Sequence, residues 1–128
     1  MILGFSQFNP KTKAPTGFVD KVLSGEKIHT IRAGSMWRPG MPIQFATGVR
    51  TKNYNKFKDG IAHSVQSIKI VPNEVINDGK VYINARELDF TELQTLAWND
   101  GFEHVVAFWT WFDEPFTGQL IHWTDYKY

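Results

Sequence analysis

At Gly25 the apolar pattern of the chain changes period, and this constrains the fold more than any other local feature. Before it, Thr16-Gly-Phe-Val-Asp-Lys-Val-Leu-Ser reads as a short helix, with Thr16 as N-cap and Phe18, Val19, Val22 and Leu23 on one apolar face. Gly25 stops that helix, because glycine takes the left-handed conformation without a side-chain clash. After it, Ile28 and Ile31 are β-branched and suit a strand. Lys27, His29, Thr30 and Arg32 crowd this helix-to-strand junction, and nothing about a core requires them there.

Strand alternation refines the cluster. Residues two apart share a face, so Thr30 and Arg32 point the same way, whereas Lys27 would point oppositely in an unbroken strand. A shared pocket of Lys27, Thr30 and Arg32 therefore requires the strand to begin after Lys27, with the lysine folding back from the turn. The alternative is a solvated edge strand whose cations face water.

Gly25-x-Lys27-x-x-Thr30-x-Arg32, between a short amphipathic helix and Trp37-x-Pro39-Gly40, resembles the signature of ASCH domains. The basic segment, the capped helix near Asp89 and Asp100-Gly101-Phe102 before an aromatic helix also fit that family's layout. The resemblance implies a fold similar to the PUA RNA-binding barrel: an α+β domain, a small mixed β-barrel with short flanking helices, occupying 1–128 as one unit. Threonine at position 30, where many members carry glutamate, matches a branch that includes small amidohydrolases removing the acetyl group from N4-acetylcytidine. In that branch the motif lysine and threonine act with a later glutamate, so the resemblance implies Lys27, Thr30 and a carboxylate as catalytic residues. Aligning Thr91-Glu-Leu with the branch puts Arg86 at the glutamate position and Glu87 one residue away. Glu87 is thus the candidate carboxylate, with Glu92 and Asp100 as substitutes.

The chemistry sets its own conditions. A threonine hydroxyl needs an adjacent base, and Lys27 can serve only if its pKa falls well below the unperturbed value of roughly 10.4. Burial and a neighbouring Arg32 both act in that direction. Without a carboxylate, Lys27 with Arg32 is equally a clamp for a phosphate or a carbonyl.

The net charge of +1 conceals an asymmetry. Residues 1–69 hold eleven Lys/Arg against three acids, a net of +8, and residues 70–128 hold three against ten, a net of −7. The basic half would attract phosphates if it formed one surface. Its densest part runs from Arg50 through Lys52, Tyr54, Lys56 and Phe57 to Lys58. Cations there would bind backbone phosphates, and the aromatics would stack unpaired bases. A solvated loop with its aromatics tucked onto the barrel is the competing arrangement. Trp37, beside the motif, is a candidate floor for a base-binding cleft.

The remaining segments read as a sheet-rich chain. Ile2–Phe8 is a first strand, Met41–Thr47 a second after the Pro39-Gly40 turn, and Ile61–Val71 a long strand with a bulge near Ser67, where its apolar phase shifts. Val81–Ile83 is a short strand and Leu120–Tyr126 a last one. Asp89-x-x-Glu92 opens a helix to about Asn99, and Val105, Phe108, Trp109 and Phe112 fall at helical spacing with their aromatics in the core.

Several chemistries are excluded or disfavoured. There is no cysteine, hence no disulfide, thiolate nucleophile or zinc ribbon. His29, His63, His104 and His122 show no metal-ligand spacing, and alternation turns His29 away from Thr30 towards a packing or edge role. Neither a metal nor a cofactor is expected. Without a long apolar run or signal-peptide pattern, a cytoplasmic setting and no membrane partner are expected. Oligomeric state is not encoded in any pattern here. The resulting expectation is an RNA- or modified-nucleoside-binding domain whose cleft holds Lys27, Thr30 and Arg32. Metal-independent deacetylation of N4-acetylcytidine is the alternative, and an interaction module for an acidic protein is a third.

Overall fold

The computed structural model describes residues 1–75 and 78–128. In chain order it forms β1 (Ile2–Gly4), α1 (Phe18–Ser24), β2 (His29–Ala33), β3 (Pro42–Thr47), β4 (Asn55–Ile61), β5 (Ser64–Val71), β6 (Lys80–Ile83), β7 (Arg86–Glu87), α2 (Phe90–Asn99), α3 (Val105–Trp111) and β8 (Phe116–His122). The fold is mixed α+β and dominated by two sheets, ordered β1-β3-β4 and β2-β8-β5-β6-β7. Among the described residues the sheets remain open and no closed barrel is detected. None of the described helices is long and apolar enough to cross a membrane.

The helices follow local signals closely. Asp89 and Glu92 form both halves of the capping box, and α2 buries Leu93, Leu96 and Ala97. α3 buries Val105, Phe108 and Trp109, while Phe112 caps it, half-buried. In α1 the residue at the N-cap is Gly17, at φ 66°, rather than Thr16. The Thr16 hydroxyl still accepts from the Phe18 N–H at 3.2 Å. Phe18 and Val22 are buried but Leu23 is 56% exposed, so the apolar face is narrower than its spacing implies.

Strand boundaries depart further from the sequence pattern. Ile61–Val71 is not one bulged strand: Ile61 ends β4 in the first sheet, and Ser64 opens β5 in the second. The change of sheet falls at Ala62 and His63, ahead of the apolar phase shift, and Gln66, Ile68 and Ile70 alternate inward along β5 without interruption. The bulge lies instead opposite Phe45 and Ala46, which pair with Lys58 and Lys56 and leave Phe57 as the extra residue on β4. β1 stops at Gly4, followed by a single bridge between Phe8 and Pro15. β8 begins at Phe116 and ends at His122, because its partners β2 and β5 run out there.

The core joins both sheets and all three helices, from Leu3, Phe5, Ile43 and Phe45 to Ile68, Ile70, Leu96, Phe108, Leu120 and Ile121. Each fully buried side chain of this size contributes about 1.5–3 kcal/mol. Trp37 belongs to this core, 5% exposed. Its indole is buried there and does not line the cleft of Lys27, Thr30 and Arg32, while its N–H and C=O are both held by the Gln119 side-chain amide at 3.0 Å, which fixes the loop against β8.

Candidate functional site

The turn after α1 brings Lys27 inward. Gly25, at φ 87°, closes the helix with its N–H on Val22 O, and the Lys27 N–H returns to Lys21 O at 3.0 Å. Ile28 N–H then bonds Asn99 O at 2.9 Å, so β2 starts only at His29. The Lys27 stem passes over the Phe18 ring, its ammonium 4.5 Å from the centroid, and ends at the C-terminus of α2. There Nζ donates to Asp100 O at 2.5 Å and lies 3.3 Å from Asp100 Oδ1. Lys21 donates to the next carbonyl, Gly101 O, at 2.7 Å. α2 carries no basic residue in its last turn, so the negative end of its dipole is met by two lysines from α1 and its turn.

Lys27, Thr30, Arg32 and Asp100 line one cleft, walled by aromatics that include Phe5, Phe18, Phe102, Trp111 and Phe112. Its volume is about 380 Å³ including the open mouth. Thr30 and Arg32 reach it from the same face of β2. The Arg32 Nη2 donates to Gly4 O at 2.5 Å, and the guanidinium lies 5.2 Å from the Phe5 ring centroid. Arg32 Nε is buried without a hydrogen-bond partner. Gly118 on β8 keeps β2 close: a Cβ there would collide with the Arg32 carbonyl oxygen.

Electrostatics in the cleft are dominated by desolvation. Burial pushes the Lys27 ammonium down to about 8, with Asp100 holding it up and Arg32 and Lys21 pressing it lower. About a tenth of such lysines are neutral at pH 7. Burial also lowers Arg32, with Asp100 opposing the shift. His29, fully buried, is pushed below its ordinary value by desolvation, while its bond to Asp100 opposes that shift.

Asp100 is the carboxylate that reaches Lys27. Glu87 lies exposed on β7, 3.4 Å from Lys80, and does not line the cleft. Glu92 is held by the capping box and by Arg86 at 2.9 Å. An aspartate at a helix C-terminus, directly before glycine, opposes the helix dipole unless cations meet it, and that local conflict is a sequence signal for Asp100. His29 carried no such signal. Alternation does turn it away from Thr30, but into the interior, where Nδ1 lies 2.9 Å from Asp100 Oδ1. It sits directly opposite His122 across β2 and β8, the rings 5.2 Å apart. Among the described residues no group of His, Asp and Glu could hold a metal ion.

The basic segment lies elsewhere, on the loop before β4 and on β4 itself. Arg50, Lys52 and Tyr54 are exposed. Lys56 pairs with Asp59 at 3.1 Å, and the Lys58 ammonium sits 5.6 Å from the Phe45 ring centroid. Phe57 packs inward against Phe5 and Phe45, leaving Tyr54 as this segment's solvent-facing aromatic.

Comparison with protein-family models, with characterised proteins and with solved structures gives no match.

Proposed function

We propose that the chain is an ASCH-type domain with a PUA-like sheet core that binds a modified nucleoside, free or carried in RNA, in a cytoplasmic setting. The observation that carries this reading is the Arg32 Nε, buried and unpartnered in the aromatic cleft beside the Lys27 ammonium. An orphaned buried donor is costly unless a ligand supplies the acceptor. The aromatic walls favour a planar group, and two cations favour one bearing a carbonyl or a negative charge. The edge of an acylated cytosine has both properties. Calorimetric titration with N4-acetylcytidine and cytidine tests this. The acylated nucleoside should bind at least tenfold more tightly, and Arg32→Met should remove the difference; equal, weak affinities would discard it.

A second reading, hydrolysis of the acyl group, is favoured by the contact of Asp100 with Lys27. In that sequence a neutral Lys27 takes the Thr30 hydroxyl proton as Oγ bonds the acyl carbon. The C–N4 bond breaks, Lys27 returns the proton to N4, and cytidine leaves. Water, deprotonated by Lys27, then adds to the acyl carbon of the Thr30 ester; the C–Oγ bond breaks, Lys27 returns the proton to Oγ, and acetic acid leaves and ionises in solvent. Arg32 and backbone N–H groups stabilise the oxyanion of both addition steps. Purified protein should release cytidine and acetate without added metal. Lys27→Ala and Thr30→Ala should abolish release, whereas Glu87→Gln should leave it intact. Retained binding without turnover would leave the binding reading alone.

A further inference from the structure

Behind the cleft, a line of hydrogen bonds runs away from Asp100 through the interior. His29 Nδ1 is 2.9 Å from Asp100 Oδ1, and its other nitrogen, Nε2, is 2.7 Å from the Tyr128 hydroxyl. The Asn99 amide Nδ2 donates to that same hydroxyl oxygen at 3.1 Å. Tyr128 is fixed in turn by Gln66, which donates from Nε2 to Tyr128 O at 2.6 Å and accepts the Tyr128 N–H at 3.0 Å. Gln66 Oε1 also lies 2.9 Å from His122 Nε2.

One arrangement gives every donor in this line an acceptor. Asn99 offers an N–H to the tyrosine oxygen, so the phenol proton is free to be donated onward to His29 Nε2. An Nε2 that accepts leaves His29 neutral with its proton on Nδ1, and that proton is donated to Asp100 Oδ1. The carboxylate is thus held in one rotamer, with Lys27 sharing the same oxygen.

We propose that His29, oriented by Tyr128 and Asn99, is a positioning residue that sets the proton affinity of the Lys27 amine through the shared Asp100 oxygen. The geometry carries the inference, since one carboxylate oxygen serves both partners and every hydrogen-bonding atom of His29 is assigned. It extends the reading of the cleft as a ligand or hydrolytic site by naming residues outside the cleft that tune it. The charged and titratable groups facing Lys27 are Asp100, Arg32 and Lys21, with His29 coupled to it across Asp100. Those facing His29 are Asp100, Lys27, His122 and Tyr128.

The experiment is NMR titration of the intact chain, with ¹³C-labelled lysine reporting Lys27 and ¹⁵N-labelled histidine reporting the His29 tautomer. Wild-type His29 should be Nδ1-protonated and neutral across the titration of Lys27. His29→Leu removes the competing donor, so Asp100 should hold the ammonium more strongly and Lys27 should titrate about one unit higher, a tenfold loss of neutral amine at pH 7. His29→Asn, which can place an amide N–H where Nδ1–H stood, should restore the wild-type titration. That rescue separates positioning from simple packing. Tyr128→Phe tests the line even if His29→Leu fails to fold: without the phenol proton on Nε2, His29 should become protonatable at higher pH. An Nε2-protonated His29 in the wild type, or a Lys27 titration identical in all variants, would overturn the proposal. A shifted titration in a chain that neither binds nor hydrolyses acetylcytidine would uphold the positioning role and reject only the ligand assigned to the cleft.

Discussion

Lys27 is 1% exposed, and an ammonium buried to that degree is tolerated only with a partner. Its partner, Asp100, is itself buried, so removing either member strands the other. Lys27→Met keeps an apolar stem of similar volume but leaves the Asp100 carboxylate with His29 as its side-chain donor, and should cost about 3 kcal/mol by urea unfolding, while ligand binding is lost. Asp100→Ala strands the lysine and should cost about 3–5 kcal/mol near pH 7. That loss should shrink as pH rises towards and through 8, where the wild-type amine itself becomes neutral and needs no counter-charge. A loss that stays constant with pH would transfer the role to the His29 contact. The buried histidines predict a second pH effect of definite sign. Burial holds His122 down to about 3 from 6.5, so between these values the unfolded chain binds more protons and stability falls as pH drops. Thermal midpoints should therefore decline below about pH 6.5 and level near 3, and His122→Asn should flatten part of that decline; an unchanged slope in the variant would place the proton uptake elsewhere. The motif residues were legible because helix, glycine and strand follow one another locally. The pairing of His29 with Asp100 was not, since 71 residues separate them and only the fold brings them together.

At the level of elements, α2 is bracketed by two devices with different duties. The Asp89 capping box is exposed and remote from the cleft, so Asp89→Ala should cost about 1 kcal/mol and leave ligand affinity unchanged. Gly101, at φ 95°, ends the helix beside the site. A Cβ there would stand 3.0 Å from the Phe18 ring and 3.2 Å from Lys27 Cδ. Gly101→Ala should thus combine a conformational penalty above about 1 kcal/mol with displacement of Lys27. Its signature in calorimetry is lost affinity together with lost stability, and a variant that loses only stability would show that the lysine tolerates the intrusion. The capping box and helical spacing of α2 and α3 were readable because they depend on neighbours a few residues apart. The break between β4 and β5 was not. Ile61 and Val65 are equally suited to one strand, and what divides them is the turn at Ala62 and His63, whose N–H groups bond Met41 O, just before β3, and His122 O, at the end of β8.

Across the whole molecule, one of the two sheets falls wholly within the basic half of the chain. β1, β3 and β4 all come from the basic half, so the three-stranded sheet is assembled without the ten acids of residues 70–128. Composition revealed the imbalance, but not that one sheet is built wholly from the basic segment, because sheet order is set by contacts distant in sequence. The structure also separates four cations that look alike in sequence. Arg50 and Lys52 are exposed and enter no ion pair among the described residues, whereas Lys56 is already paired with Asp59 and Lys58 lies against Phe45. If this face holds single-stranded RNA, each phosphate contact contributes about 0.7 to the slope of log affinity against log salt. Replacing Arg50 with Asn suits its φ of 64°, a left-handed conformation that asparagine tolerates. Arg50→Asn with Lys52→Gln should therefore lower the slope by about 1.4 without unfolding the loop, while Lys56→Gln should change it little, since Asp59 already offsets that charge. Fluorescence anisotropy with a labelled oligonucleotide from 50 to 200 mM salt, about the range over which such contacts weaken, reads both slopes. An unchanged slope in the Arg50 and Lys52 double variant would remove this face from RNA recognition and confine binding to the cleft of Lys27, Thr30 and Arg32, where affinity for the free nucleoside should then show little salt dependence.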